Sequence, residues 1–179
     1  MKTKPSTEYV LLGTLFSGHK HGYEIMQFLE STLESTWRVS TSQLYVLLKR
    51  LEREGLVHSS LKTQETRPSR RVFSLTPPGK NAFLEWVRSP TERVRDLRIE
   101  FPAKLFFFHR LSLKGGDELL SAQVKALGGI KERIRKRQER ENDPFKKLVL
   151  GTKMMTVDTW LQWLRKQATH FVREIYSHG

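Results

Sequence analysis

Residues 39–57 read VSTSQLYVLLKRLEREGLV, and the placement of the leucines in this stretch decides the fold. Leu44, Leu47, Leu48 and Leu51 recur at i, i+3, i+4 and i+7, the spacing of a helix that turns one apolar stripe to a core. Ser40 and Gln43 stand in the S-x-x-Q relation of a capping box, so the helix starts there, and Gly55 falls where a left-handed C-terminal cap is needed. At 100° per residue the far side carries Ser42, Val46, Lys49 and Arg53, with Gln43 and Arg50 on one flank and Tyr45 on the other. This second face is polar, basic and aromatic-edged, and the core does not use it.

Two helices are expected before this one. Tyr9, Val10, Leu11, Leu12, Leu15 and Phe16 cover most of a helix circumference, which predicts a largely buried first helix entered at Pro5 and Ser6. After the Ser17-Gly18 break, Tyr23, Ile25, Met26 and Leu29 give a second amphipathic helix. Beyond Gly55, residues 56–62 and 70–75 read as two short strands joined by a loop TQETRPS that contains Pro68. Thr76 then caps a helix with Pro77 in its first turn, running through Phe83, Leu84 and Val87 and stopping before Pro90. Three helices followed by a hairpin is the order of a winged helix-turn-helix, assigned to residues 1–90.

The texture changes in residues 91–179, expected to form a helical, coiled-coil-like dimerisation domain, so that the fold class is mainly α with a small β-hairpin wing. TERVRDLR reads as a charged linker, and residues 101–111 as a short, very apolar helix that needs a cover. Residues 117–141 form a long helix whose seam of Leu120, Val124, Leu127 and Ile134 is interrupted by Lys131 and Gln138; Gly128-Gly129 is a place for a kink or a break, at about 1 kcal/mol per glycine relative to alanine. In the last helix, Leu150, Met154, Val157, Leu161, Leu164, Ala168, Phe171 and Ile175 alternate steps of four and three. A seam of that length predicts packing on a second copy of the chain as well as on the preceding helix.

Composition narrows the function. Among 179 residues there is no cysteine, which removes disulfides, thiolate zinc sites and a cysteine nucleophile together. Thirty-two Lys and Arg stand against 19 Asp and Glu, a balance that favours a polyanionic partner. The excess is spread over both halves, net +5 in residues 1–90 and net +8 in 91–179, so charge alone does not locate a binding face. No apolar run approaches the roughly 18 residues of a membrane span, and the N-terminus lacks a cleavage signal, which predicts a cytoplasmic protein without a membrane partner. His19 and His21 have no carboxylate cluster beside them, so neither a metal nor another cofactor is expected. No nucleophile elbow, phosphate-binding glycine loop or H-E-x-x-H occurs, and the chain is not read as an enzyme.

The run Gly22-Tyr23-Glu24-Ile25, then Gln43-Leu44-Tyr45, Leu48-Lys49-Arg50-Leu51-Glu52, Glu54-Gly55-Leu56-Val57 and Phe73-Ser74-Leu75-Thr76 with Gly79, resembles the PadR family of bacterial transcriptional regulators. The likeness covers residues 7–88 closely. The second half is similar, more loosely, to the longer PadR subgroup with a helical dimerisation domain, through Trp160-Leu161 and Trp163-Leu164. The resemblance implies a dimeric repressor released from double-stranded operator DNA by a small aromatic or amphipathic effector. It places Ser42, Gln43, Tyr45 and Lys49 on the helix that approaches the major groove.

Side-chain chemistry agrees with that placement. Glutamine pairs with an adenine edge and serine with base or phosphate, while Lys49 and Arg50 have the reach and charge for the backbone. Lys62, Arg67, Arg70 and Arg71 suit phosphate contacts from the wing. Trp160 and Trp163 beside the seam are open to two readings, dimer packing or, with Phe107, an effector pocket. The run KERIRKRQERE at 131–141 reads as an exposed helix laced with pairs such as Glu132 and Lys136. The alternative for the whole chain is a winged-helix protein-interaction module with no specific operator.

Overall fold

The structure is a computed structural model that describes residues 6–32, 37, 39–64 and 67–177, the side chains at 32, 62–64, 67–70 and 175–177 lying outside the description. It divides into two compact units with the boundary between Val87 and Arg88.

The first unit opens with α1 (Ser6–Leu15). Val10, Leu11 and Leu12 are fully buried, as an all-round apolar helix must be. A two-residue strand β1 (Lys20–His21) leads into α2 (Gly22–Thr32). Ile25 and Leu29 of α2 enter the core, whereas Tyr23, expected on the apolar face, is 55% exposed and stacks on His21. Trp37 is buried, and its indole N–H donates to Thr7 Oγ1 of α1 at 3.2 Å.

Helix α3 (Thr41–Arg53) follows its sequence closely. The capping box is formed, Gln43 N–H donating to Ser40 Oγ at 3.2 Å and Ser40 N–H to Gln43 Oε1 at 3.1 Å. Leu44, Leu48 and Leu51 are fully buried, Leu47 only half so. Each buried leucine contributes about 1.5–3 kcal/mol relative to exposure. Gly55 ends the helix at φ 71°, a conformation that side chains with a Cβ rarely adopt.

Strands β2 (Val57–Gln64) and β3 (Arg67–Leu75) pair antiparallel from Val57↔Leu75 to Lys62↔Arg70, and β1 joins the other side of β3 at Phe73 and Val72. The sheet therefore has three strands in the order β1-β3-β2, not the two that the sequence suggests. The hairpin is also longer than expected: Thr63 and Gln64 belong to β2, and Arg67, Pro68 and Ser69 to β3, all assigned to a loop from the sequence. An irregularity in register between Lys62 and Gln64 accompanies this. Bulges and open edges are where a strand tolerates a residue without an N–H, and β1 covers β3 only at Val72 and Phe73. Thr76 caps α4 (Pro77–Arg88), its Oγ1 accepting from Gly79 N–H at 3.1 Å and donating to the Gly55 carbonyl at 2.6 Å. One side chain thus ties the start of α4 to the turn that closes α3.

The second unit contains α5 (Leu97–Arg110), α6 (Gly116–Arg140), α7 (Pro144–Trp163) and α8 (Thr169–Ser177). The segment read as a charged linker is held in place. Thr91 is buried, its N–H donating to Gln123 Oε1 at 2.6 Å and its carbonyl accepting from Gln123 Nε2 at 3.1 Å, while its hydroxyl donates to Glu100 at 3.0 Å. Val94–Asp96 is a 3₁₀ turn that runs into α5 four residues earlier than the apolar pattern indicates. Helix α6 passes through Gly128-Gly129 unbroken. The last helix is interrupted by a π-turn at Leu164–Ala168. Its extra residue per turn shifts the seam, so Val172 is fully buried where the heptad pattern places Phe171, which is 36% exposed.

Lys104 lies on the wall of this polar cluster, fully buried, with Nζ 2.8 Å from both the Glu100 carboxylate and the Ser89 carbonyl. Burial pulls its ammonium below the usual lysine range, and Glu100 offsets part of that. Breaking a buried pair from one side costs about 3–5 kcal/mol. Lys104→Met is therefore expected to destabilise the chain to that extent in urea denaturation, and the Glu100→Gln/Lys104→Met double variant to regain most of the loss.

Candidate nucleic-acid interface

The outward face of α3 is built from both ends. Its leucines hold the inner side, and Glu52 adds a strut to the sheet by accepting the Ser59 hydroxyl at 2.5 Å. What remains outside is Ser42, Val46, Lys49 and Arg53, all exposed, with Val46 at 67%. This stripe begins at the N-terminal end of the helix, where polar side chains reach base edges when a recognition helix enters a major groove. Val46, placed on this face by the sequence but not among the expected DNA contacts, joins them here. An exposed β-branched side chain has no core to fill there, and a thymine methyl is the apolar feature of a base edge that it suits.

Tyr45 sits on the flank with its ring 6.4 Å from that of Phe73 in β3. Its hydroxyl lies across Gly22 so closely that a methyl group there would overlap it. The glycine at the head of α2 and the tyrosine of α3, two separate motifs in the sequence, are thus the two halves of one contact. Tyr45 remains 47% exposed at its outer edge. Gln43 is exposed, but its carbonyl oxygen is engaged by the Ser40 amide, so bidentate pairing with adenine requires opening the capping box, whereas the amide NH₂ can donate with the cap intact.

Arg50 is placed differently from its sequence reading as a phosphate contact. Its guanidinium pairs with Glu8 of α1, a carboxylate with no exposed surface. A buried carboxylate is tolerated only with a cation beside it, and Arg50 supplies one from the flank of α3. In the wing, Arg71 is exposed on β3 opposite Leu61, itself 69% exposed. The side chains of Lys62, Arg67 and Arg70 lie outside the described residues, though the backbones of Lys62 and Arg70 are register partners.

In the second unit, Leu150, Val157, Leu161, Leu164 and Ala168 are buried by their own chain and Met154 is half-buried, so these members of the expected dimer seam are largely spent on the core of one subunit; the side chain of Ile175 lies outside the described residues. The apolar surface left on α7 is Phe145, Leu148 and Met155, 66–72% exposed, spaced i, i+3 and i+10 on one side of the helix. The expected effector residues also separate. Phe107 is core, and Phe106 instead lines an apolar groove of about 490 Å³ with Pro102, Leu105, His109, Trp163 and Phe171. Trp160 meets Trp163 edge to face at 5.5 Å and does not line it. Among the described residues no group of three His, Cys, Asp or Glu could hold a metal ion, and no helix is long and apolar enough to cross a membrane.

A capped helix clamped by its leucines, presenting a polar and basic outer stripe and followed by a hairpin, defines a winged helix-turn-helix protein. Residues 11–85 match the model of the transcriptional regulator PadR-like family. By this domain, rather than over its whole length, the chain is similar to that family. It is similar to the negative transcriptional regulator PadR of Bacillus subtilis, 26% identical over 152 residues, 83% of this chain and 78% of the relative. A probable transcriptional regulator of Mycobacterium tuberculosis is 22% identical over 87 residues, 49% of this chain and 46% of that protein. Among solved structures, Bacillus subtilis PadR in complex with operator DNA aligns over 93% of this chain and 99% of that one, at 23% identity and TM-score 0.49. A Streptococcus mutans structure aligns over 90% and 98% at 17% identity and TM-score 0.45.

Forcing extra volume into a packed contact costs about 1–3 kcal/mol. Gly22→Ala is expected to lower stability by that amount by pushing Tyr45 aside, and Tyr45→Phe in the same chain to restore part of it by removing the hydroxyl; thermal melts of the four variants of the cycle measure the coupling.

Proposed function

We propose that the chain is a sequence-specific DNA-binding repressor that acts in the bacterial cytoplasm as a homodimer on an inverted-repeat operator. The observation that carries this reading is the outward stripe of α3: Ser42 and Val46 at the base-reading end, Lys49 and Arg53 behind them, all exposed while Leu44, Leu48 and Leu51 of the opposite face are fully buried. Repression is supported by the similarity to a negative regulator over most of both chains. Base contact falls to Ser42, Val46 and the outer edge of Tyr45, and backbone contact to Lys49, Arg53 and Arg71. Lys62, Arg67 and Arg70 add basic residues along the same hairpin.

Dimerisation is supported by the exposed apolar residues of α7. Phe145, Leu148 and Met155 share one side of α7, with Thr152 between the last two, and are exposed in one subunit; two-fold pairing through that side hides the same patch on both copies. A two-fold dimer reads two half-sites about 34–36 Å apart. The groove bordered by Phe106, Trp163 and Phe171 suits a small aromatic effector, with His109 and Gln167 as the polar residues of a mainly apolar wall. An effector bound there acts on the helices of the second unit and leaves the α3 stripe untouched.

Lys49→Ala is expected to weaken binding to all duplexes alike and to reduce the salt slope by about one, whereas Val46→Ala should cost about 1–3 kcal/mol at one base position only; fluorescence anisotropy on a selected operator and its single-base variants separates the two, and equal effects on every sequence from both would contradict the reading. Leu148→Glu/Met155→Glu is expected to convert a dimer to a monomer in analytical ultracentrifugation and to weaken operator binding, because two half-sites then lose their linkage.

A further inference from the structure

We propose that the outer face of α6 carries a second phosphate-binding strip, formed by Arg133, Arg137 and Arg140, that engages the backbone of duplex DNA without reading its sequence. It rests on the DNA-binding reading above only for the identity of the polyanion. The segment 131–141 is laced with ion pairs, but only on one flank. Arg135 is bound by Glu132 at 2.8 Å and Glu139 at 2.6 Å, and Lys136 reaches Glu132 at 3.6 Å. Glu141 stands beside the arginines yet accepts the N–H groups of Asn142 and Asp143, both at 3.2 Å. Every carboxylate of the segment is thus committed, and among the described residues none forms an ion pair with Arg133, Arg137 or Arg140.

The helix geometry sets these three side chains apart. Lys131 reaches Asp158 and Gln138 reaches the Lys147 carbonyl, which fixes the side of α6 that faces α7. Counting 100° per residue from Gln138, Arg133 and Arg140 fall roughly 140–160° away and Arg137 roughly 100° away, so the three share the side turned from α7 and its flank. Positions i, i+4 and i+7 put three like charges on one line, an arrangement that destabilises a helix by about 0.2–0.5 kcal/mol per pair. The helix C-terminus compensates a cation only within its last turn, which leaves Arg133 outside its reach. Gly129 lies one turn before Arg133 on this side of the helix and Gly128 on the other flank. Neither produces a kink; a Cβ at Gly128 would meet nothing within 4 Å and one at Gly129 would touch Arg133 Nη1 at 3.8 Å, an ordinary contact, so packing does not require them.

The chemistry selects the partner. Guanidinium forks match phosphate oxygens, and the strip spans about 10 Å at 1.5 Å rise per residue, a length over which a duplex presents about six charges. The aliphatic residues on the same line, Ala126 and Ile130, are half-buried and precede the arginines, whereas a protein partner needs a desolvated apolar centre and a membrane surface needs exposed apolar residues to insert. A purely electrostatic strip suits a polyelectrolyte, and it accounts for a basic excess in the half of the chain that does not contain α3.

The test uses the full chain and a short fluorescent duplex of random sequence, comparing wild type, Lys49→Ala, the triple variant Arg133→Gln/Arg137→Gln/Arg140→Gln, and the charge-preserving triple variant to Lys. Each neutralised phosphate contributes about 0.9 to the slope of log K against log salt, so the Gln triple is expected to lose about 2.7 of that slope and the Lys triple to keep most of it. A slope unchanged in the Gln triple overturns the strip, even if Lys49→Ala lowers it and so upholds the α3 reading. The reverse pattern, loss in the triple and none in Lys49→Ala, supports the strip and removes the α3 reading. Loss of binding confined to phosphatidylglycerol vesicles, with the duplex slope intact, also overturns it in favour of a lipid surface. An equal loss in the Gln and Lys triples shows a structural effect and counts against it.

Discussion

The structure of the first unit depends on one constraint: α3 must be held entirely by one side so that the other can be offered to a ligand. Leu44, Leu48 and Leu51 meet it by complete burial, and no polar group of the inner face has to be satisfied. The capping box at Ser40 and Gln43 fixes where the helix begins, and Gly55 fixes where it ends. With both ends and one face determined, the direction of Ser42, Val46 and Lys49 is no longer free. A reading helix that could roll by one residue would present a different set of side chains, and the leucine stripe forbids the roll because it would bring charged residues into the core.

Supporting contacts act on the same helix from the flanks. Glu8 of α1 takes Arg50, Gly22 of α2 accepts the Tyr45 ring, and Ser59 of β2 holds Glu52. Each is a contact between α3 and a different neighbour, so the helix is triangulated by α1, α2 and the sheet. Some residues that look like ligand contacts are therefore partly structural. Arg50 serves the core by neutralising a buried carboxylate, and the Gln43 carboxamide serves the cap. The stripe that remains for a partner is narrower than the charge pattern suggests, and it includes an aliphatic residue that charge-based reading passes over.

In the second unit the balance between core and surface runs the other way. Residues at heptad spacing were expected to meet another subunit as well as the preceding helix, and most are buried within the same chain, where an apolar α5 rich in phenylalanine needs a cover and the last helices provide it. Surface for a partner is left at Phe145, Leu148 and Met155. Charges divide similarly along α6, one flank neutralised by Glu132 and Glu139 and the outer side left cationic. Pair formation at i+3 and i+4 is thus a test of which charges in a mixed run are available to a ligand.

The chain by itself determined the elements whose signal is local. The period of the leucines, the S-x-x-Q cap, the Thr76-Pro77 start and the glycine at the end of α3 each depend on residues within a turn or two of one another, and all appear where expected. Tertiary structure alone decided the rest. The strand β1 is two residues long and exists only because the edge of β3 pairs with it. The binding of Thr91 by Gln123, the pairing of Glu8 with Arg50 and the fit of Tyr45 over Gly22 join residues 20 or more positions apart. The π-turn that moves burial from Phe171 to Val172 leaves the heptad pattern before it unchanged, since a sequence period records spacing along a helix and not the one-residue slip that packing imposes.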